Sequence, residues 1–203
     1  MPSPASPPDP VPTLHNYKAL IATLPKTPID ARLTRIVPFL SFDSGMPRTY
    51  LFTSGRANRC NPKNVRAVYF SENKETADAE WEELNDDPDQ PVLTFHGRLR
   101  AANIIDLSST ATFNALGLSQ EDLTGNFRFK SLNIQQLGKA VSAQTDAVAI
   151  RYPSRAMGKI GKTGFNLAIF PDAIRDPDTF VIYGDKRTII EQWPSPRNCR
   201  IKK

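Results

Sequence analysis

Residues 58–84 read NRCNPKNVRAVYFSENKETADAEWEEL. The run Arg66 to Ser71 alternates like a strand, with Val68 and Phe70 on one face and Tyr69 and Ser71 on the other. Asn73 is placed to cap a helix that follows at once, with Glu75 in its first turn. On a wheel of 3.6 residues per turn, Ala77, Trp81 and Leu84 form an apolar stripe, while Glu75, Asp78 and Glu82 fall on the far side as a solvated face. Glu80 breaks this order. It lies about 60° from the stripe's centre, so its carboxylate emerges at the edge of the core, where charged groups are paired or functional.

Working outward, Leu14 to Leu24 has helical spacing, and LTRIVPF (33–39) is a short strand that Pro38 ends or places at an edge. Residues 41–65 form a long irregular stretch, expected as a functional loop. PVLTFHG (91–97) and NIIDL (103–107) read as strands, STATFNALGL (109–118) and IQQLGKAVSAQ (134–144) as helices, and DAVAI, FNLAIF, TFVIYG and TIIEQW as strands. Strands cluster late and helices occur singly, which predicts a mixed α+β domain rather than a doubly wound sheet. The organisation is a proline-rich leader over 1–13, one domain over 14–193 and a basic tail over 194–203.

Composition excludes several function classes. The chain of 203 residues has no run approaching a membrane span and no secretory signal, so a cytoplasmic protein is expected. Cys60 and Cys199 make no metal-ligand spacing with His15 and His96, so neither a metal site nor a disulfide is expected. The net charge of +5 is partly in the tail, and no basic stripe with interleaved aromatics marks a nucleic-acid face. MGKIGKTGFN (157–166) imitates a phosphate loop, but the pattern requires glycine where Ala156 stands, and a helix where FNLAIF reads as a strand.

In RCNPKNVRAVYFSE, Arg59, Asn61 and Tyr69 are in register with a family motif, and Glu80 of ETADAEW follows without a gap. LTRIV supplies Arg35, LGKAV a helix, AIRYPSR Ser154, and FNLAIFP Asn166. Over residues 30–183 the chain thus resembles the RES-domain family, departing from it at Cys60, where an aromatic is usual, and at Asn64, where a turn glycine is common. The resemblance implies an ADP-ribosyltransferase-like mixed sheet with flanking helices and NAD as substrate, cleaved between nicotinamide and ribose. It also implies a toxin acting by hydrolysis, or by phosphorolysis with inorganic phosphate as co-substrate, and an Xre-type antitoxin as partner, any contact with nucleic acid being indirect through that antitoxin. An ADP-ribosyltransferase acting on a protein is the alternative; a nucleic-acid or partner-binding module is a third reading.

Under this resemblance Glu80 stabilises an oxocarbenium-like cation, and Arg35 and Arg59 offer guanidinium forks to the pyrophosphate. Tyr69 borders the cleft, either stacking on nicotinamide or serving as a core tyrosine with a satisfied hydroxyl. Ser154 hydrogen-bonds substrate or caps backbone at a turn, and Asn166 orients substrate or Ser154.

Overall fold

The structure, a computed structural model, describes residues 14–43, 56–124, 132–143, 145–184 and 188–195. The leader and most of the tail lie outside the described residues, as does 44–55 of the expected loop. The strands are β1 (Ile29–Pro38), β2 (Val68–Ser71), β3 (Val92–Ala101), β4 (Ile105–Asp106), β5 (Ala149–Pro153), β6 (Phe165–Ile169), β7 (Thr179–Tyr183) and β8 (Ile189–Trp193). The helices are α1 (Leu14–Thr23), α2 (Phe39–Asp43), α3 (Lys74–Leu84), α4 (Thr110–Ala115), α5 (Gln120–Thr124), α6 (Asn133–Ser142) and α7 (Arg155–Lys159). The class is α+β, as the sequence predicts: one eight-stranded sheet in the order β4-β5-β6-β2-β1-β3-β7-β8, antiparallel except for β4 beside β5.

The join between β2 and β1 shapes the molecule. The two strands share a single register pair, Thr34 with Ser71, whereas β1 and β3 pair along ten residues. That long ladder explains why β1 begins at Ile29 rather than Leu33, although it ends at Pro38 as expected. Phe70 of β2 meets Phe180 of β7 edge to face at 5.5 Å, although β1 and β3 separate them in the strand order. The sheet therefore curls on itself, enclosing Leu33, Val68, Phe95, Leu99, Leu167, Ile169, Phe180 and Ile182 between its halves. A second core, built on Tyr17, Ile134, Leu137, Ile150, Ala168 and Phe170, packs α1 and α6 on the other face of β5 and β6.

Two local details follow from residue chemistry. Asn64 has φ 70°, the left-handed region that asparagine tolerates best after glycine, so it replaces the common turn glycine without losing the turn. In the stretch that imitates a phosphate loop, Gly161 at φ 71° instead terminates α7: Lys162 N–H donates to Met157 O at 2.9 Å and Gly161 N–H to Gly158 O at 3.2 Å, a Schellman ending. FNLAIF continues as strand β6, as read from its sequence.

Candidate active site

Helix α3 begins as predicted, with Asn73 Oδ1 accepting the Thr76 N–H at 2.8 Å. Its buried face differs from the apolar stripe read from the sequence. Leu84 is 63 % exposed, and it lines a cavity together with the half-buried Trp81. The inward arc instead runs through Thr76, Ala77, Glu80 and Glu83, and at about 100° per residue Glu80 stands near its centre. Two of these positions are acids, so hydrophobic periodicity alone points the wheel the wrong way. Tertiary partners explain the arrangement: Glu83 pairs with Arg155 and Lys159 of α7, and Glu75 pairs with Lys162 just beyond it. Asp78 pairs with Lys74 one turn back, while Glu82 is exposed.

Glu80 is held differently from these neighbours. Its Oε1 accepts from Ser154 Oγ at 2.6 Å and from Asn166 Nδ2 at 2.7 Å. Both donors are neutral, and among the described residues Glu80 has no salt bridge. The carboxylate is thus oriented without its charge being cancelled, and both bonds fall on one oxygen, leaving Oε2 for a ligand. Each donor is fixed in turn. Ser154, 5 % exposed, caps α7 by accepting the Met157 N–H at 3.1 Å, and Asn166 Oδ1 accepts from Ser71 Oγ at 2.7 Å.

Beneath Glu80 the sheet supplies a row of side chains at one level. Cross-strand register pairs Thr34 with Ser71, Ser71 with Asn166 and Asn166 with Tyr152, so four adjacent strands present one residue each on the same face. All four line a cavity of about 390 Å³, together with Glu80, Trp81, Arg35, Arg59 and Tyr69. That volume falls in the lower part of the roughly 300–1,000 Å³ usual for small-molecule sites.

The arginine loop is held to this wall by Tyr69. Its hydroxyl accepts the Cys60 N–H at 2.9 Å and donates to Asn61 Oδ1 at 2.8 Å, and the fully buried Asn61 returns hydrogen bonds to the carbonyls of Arg56 and Val65. Tyr69 thus has a satisfied hydroxyl on a ring that also borders the cavity. Behind the loop, Gly138 of LGKAV lets α6 approach closely: a Cβ at this position would lie 1.6 Å from the Cys60 carbonyl oxygen. Arg35 donates from Nη1 to the Tyr69 carbonyl at 2.8 Å, and burial lowers its guanidinium to about 10, so it remains charged at neutral pH.

The sequence-derived residues Arg35, Arg59, Tyr69, Glu80 and Asn166 all line this cavity, and Ser154 stands one hydrogen bond behind Glu80. Sequence reasoning missed Thr34 and Tyr152, and reached Ser71 only as the neighbour of Tyr69 on the strand face that borders the cleft. Tyr152 is 7 % exposed, and its hydroxyl makes no hydrogen bond to the described residues. Burial raises its phenol well above the usual range, keeping it a neutral donor. The available signal was adjacency, since Tyr152 lies two residues before Ser154 on a strand. Among the described residues no cluster of three or more side chains is fit to hold a metal, and no helix is long and apolar enough to cross a membrane.

A curled α+β sheet with an oriented but unneutralised carboxylate over a cleft holding two arginines defines the class of structure. The RES domain family model matches residues 32–196, and the chain belongs to the RES-domain family. No curated protein matches it. Among solved structures, the fold is similar to one in the crystal structure of the M. tuberculosis MbcT-MbcA toxin-antitoxin complex, with TM-score 0.54 and 15 % identity over 79 % of this chain and 85 % of that one.

Proposed function

We propose that the protein is a toxin that consumes NAD by breaking the bond between nicotinamide and the ribosyl carbon. The observation that carries this reading is Glu80, fixed through one oxygen by two neutral donors and lining a cleft that also holds Arg35 and Arg59. As nicotinamide leaves with the bonding electron pair, its ring becomes neutral and positive charge develops on the ribose. A carboxylate that is already oriented stabilises that charge without reorganising. Arg35 and Arg59 take the pyrophosphate from its nicotinamide side, and the Tyr152 hydroxyl is the tyrosine donor available to the ligand, because that of Tyr69 is committed to the arginine loop. Ser154 and Asn166 position Glu80. Water, losing a proton to the solvent, or an ionised oxygen of inorganic phosphate then attacks the ribosyl carbon.

Membership of the family supports an Xre-type antitoxin as the inhibiting partner, and the toxin-antitoxin complex of the structural neighbour supports an antitoxin partner as such. The test is to incubate the purified protein with NAD, with and without phosphate, and identify the products. Nicotinamide with ADP-ribose means hydrolysis, and a phosphorylated ADP-ribose means phosphorolysis. Release of nicotinamide with ADP-ribose transferred to protein means the transferase alternative, and no nicotinamide release refutes the proposal.

A further inference from the structure

The row of side chains that floors the cleft does not stop at Thr34. Thr34 pairs with His96 on β3 and His96 with Tyr183 on β7, extending the same level across six strands. There it meets a second concavity of about 620 Å³, lined by Thr34, His96, Tyr183, Arg32 and Arg98 among others, so that Thr34 is a wall common to both spaces. Its charge arrangement is costly. Arg32 and Arg98 are register partners, two like charges directly opposite on adjacent strands, an arrangement that destabilises a sheet. Arg98 puts Nε and Nη2 on Asp30 at 2.8 and 2.9 Å, and Arg100 shares the same carboxylate at 3.1 Å. One acid thus serves two arginines, and Arg32 has no ion pair or hydrogen bond among the described residues. The carboxylate that lines the concavity, Glu72, accepts two bonds from Arg151. An anion beside Arg32 would relieve this opposition, and the rings of His96 and Tyr183 border the space where a base attached to that anion would lie.

We propose that this concavity binds a nucleotide phosphate, with Arg32 and Arg98 on the phosphate and Tyr183 and His96 beside the base. Resting on the NAD reading, it receives the adenylate half of the dinucleotide whose nicotinamide half occupies the cleft under Glu80. The first cavity, near the lower bound for small-molecule sites, leaves that half to be housed elsewhere.

The experiment is calorimetric titration of the full chain with AMP, nicotinamide mononucleotide and inorganic phosphate, for wild type, Arg32→Gln and the control Lys18→Gln on α1. AMP binding is expected to weaken about tenfold or more in Arg32→Gln, the scale of one charge-assisted hydrogen bond, and to hold in Lys18→Gln. Nicotinamide mononucleotide binding is expected to be unchanged in both. The thermal midpoint of ligand-free Arg32→Gln is expected to equal or exceed that of wild type, because the substitution removes a like-charge opposition; a merely structural arginine would lower it. AMP binding that is absent in wild type, or unaffected by Arg32→Gln, overturns the site. Free phosphate bound as tightly as AMP and lost in the variant overturns the adenylate assignment. Wild type that binds AMP through Arg32 yet releases no nicotinamide from NAD leaves this site standing and refutes the NAD-cleavage reading instead.

Discussion

Replacing Glu80 by glutamine separates charge from shape at the centre of the candidate site. The amide oxygen can accept the same bonds from Ser154 and Asn166, so the side chain keeps its position and the fold loses little. What disappears is one negative charge that no cation among the described residues offsets. A unit pair 4 Å apart interacts by about 4 kcal/mol at an effective dielectric of 20, and a cation only partly developed at the transition state claims roughly half to all of that. The expected loss is therefore about 2–4 kcal/mol, or roughly 30- to 1,000-fold in turnover. Nicotinamide release under saturating NAD measures turnover, and a thermal melt measures stability. The control is Glu82→Gln, exposed and two residues along, expected to move neither quantity by more than about 0.5 kcal/mol. Equal turnover in the two variants would refute the role given to Glu80. A fall in thermal midpoint matching the loss of activity would show that the carboxylate holds the fold instead.

Arg59→Lys keeps the charge but loses the planar fork, and is expected to cost about 1–3 kcal/mol in kcat/KM for NAD; an unchanged value removes Arg59 from the phosphate site. Gly138→Ala drives a methyl group into the Cys60 carbonyl, so the arginine loop or α6 must shift, with an expected loss of about 1–3 kcal/mol in stability by denaturant titration and a raised KM; wild-type values in both would mean that α6 and the loop separate freely. Tyr152→Phe removes a hydroxyl that holds no described partner, so the thermal midpoint is expected to stay or rise while kcat/KM falls about tenfold, and unchanged kinetics would exclude the phenol from substrate contact.

Much of this protein was legible before any coordinates. The β1 ending at Pro38, the Asn73 cap, the strand FNLAIF and the failure of the phosphate-loop imitation are local matters, settled by neighbouring side chains and backbone preference. The family resemblance also placed Arg35, Arg59, Tyr69, Glu80 and Asn166, which line one cavity, and Ser154, which touches Glu80. The sequence could not orient α3. Periodicity assumes that the inward face is apolar, whereas this helix turns Glu80 and Glu83 inward against donors and cations from residues 154–166. Nor could it reveal the row from Tyr152 through Asn166, Ser71 and Thr34 to His96 and Tyr183, because register across six strands joins residues up to 149 positions apart. Local sequence determined which segments became strands and helices; only strand pairing and the curl of the sheet decided which side chains share a floor, and therefore what the cleft can hold.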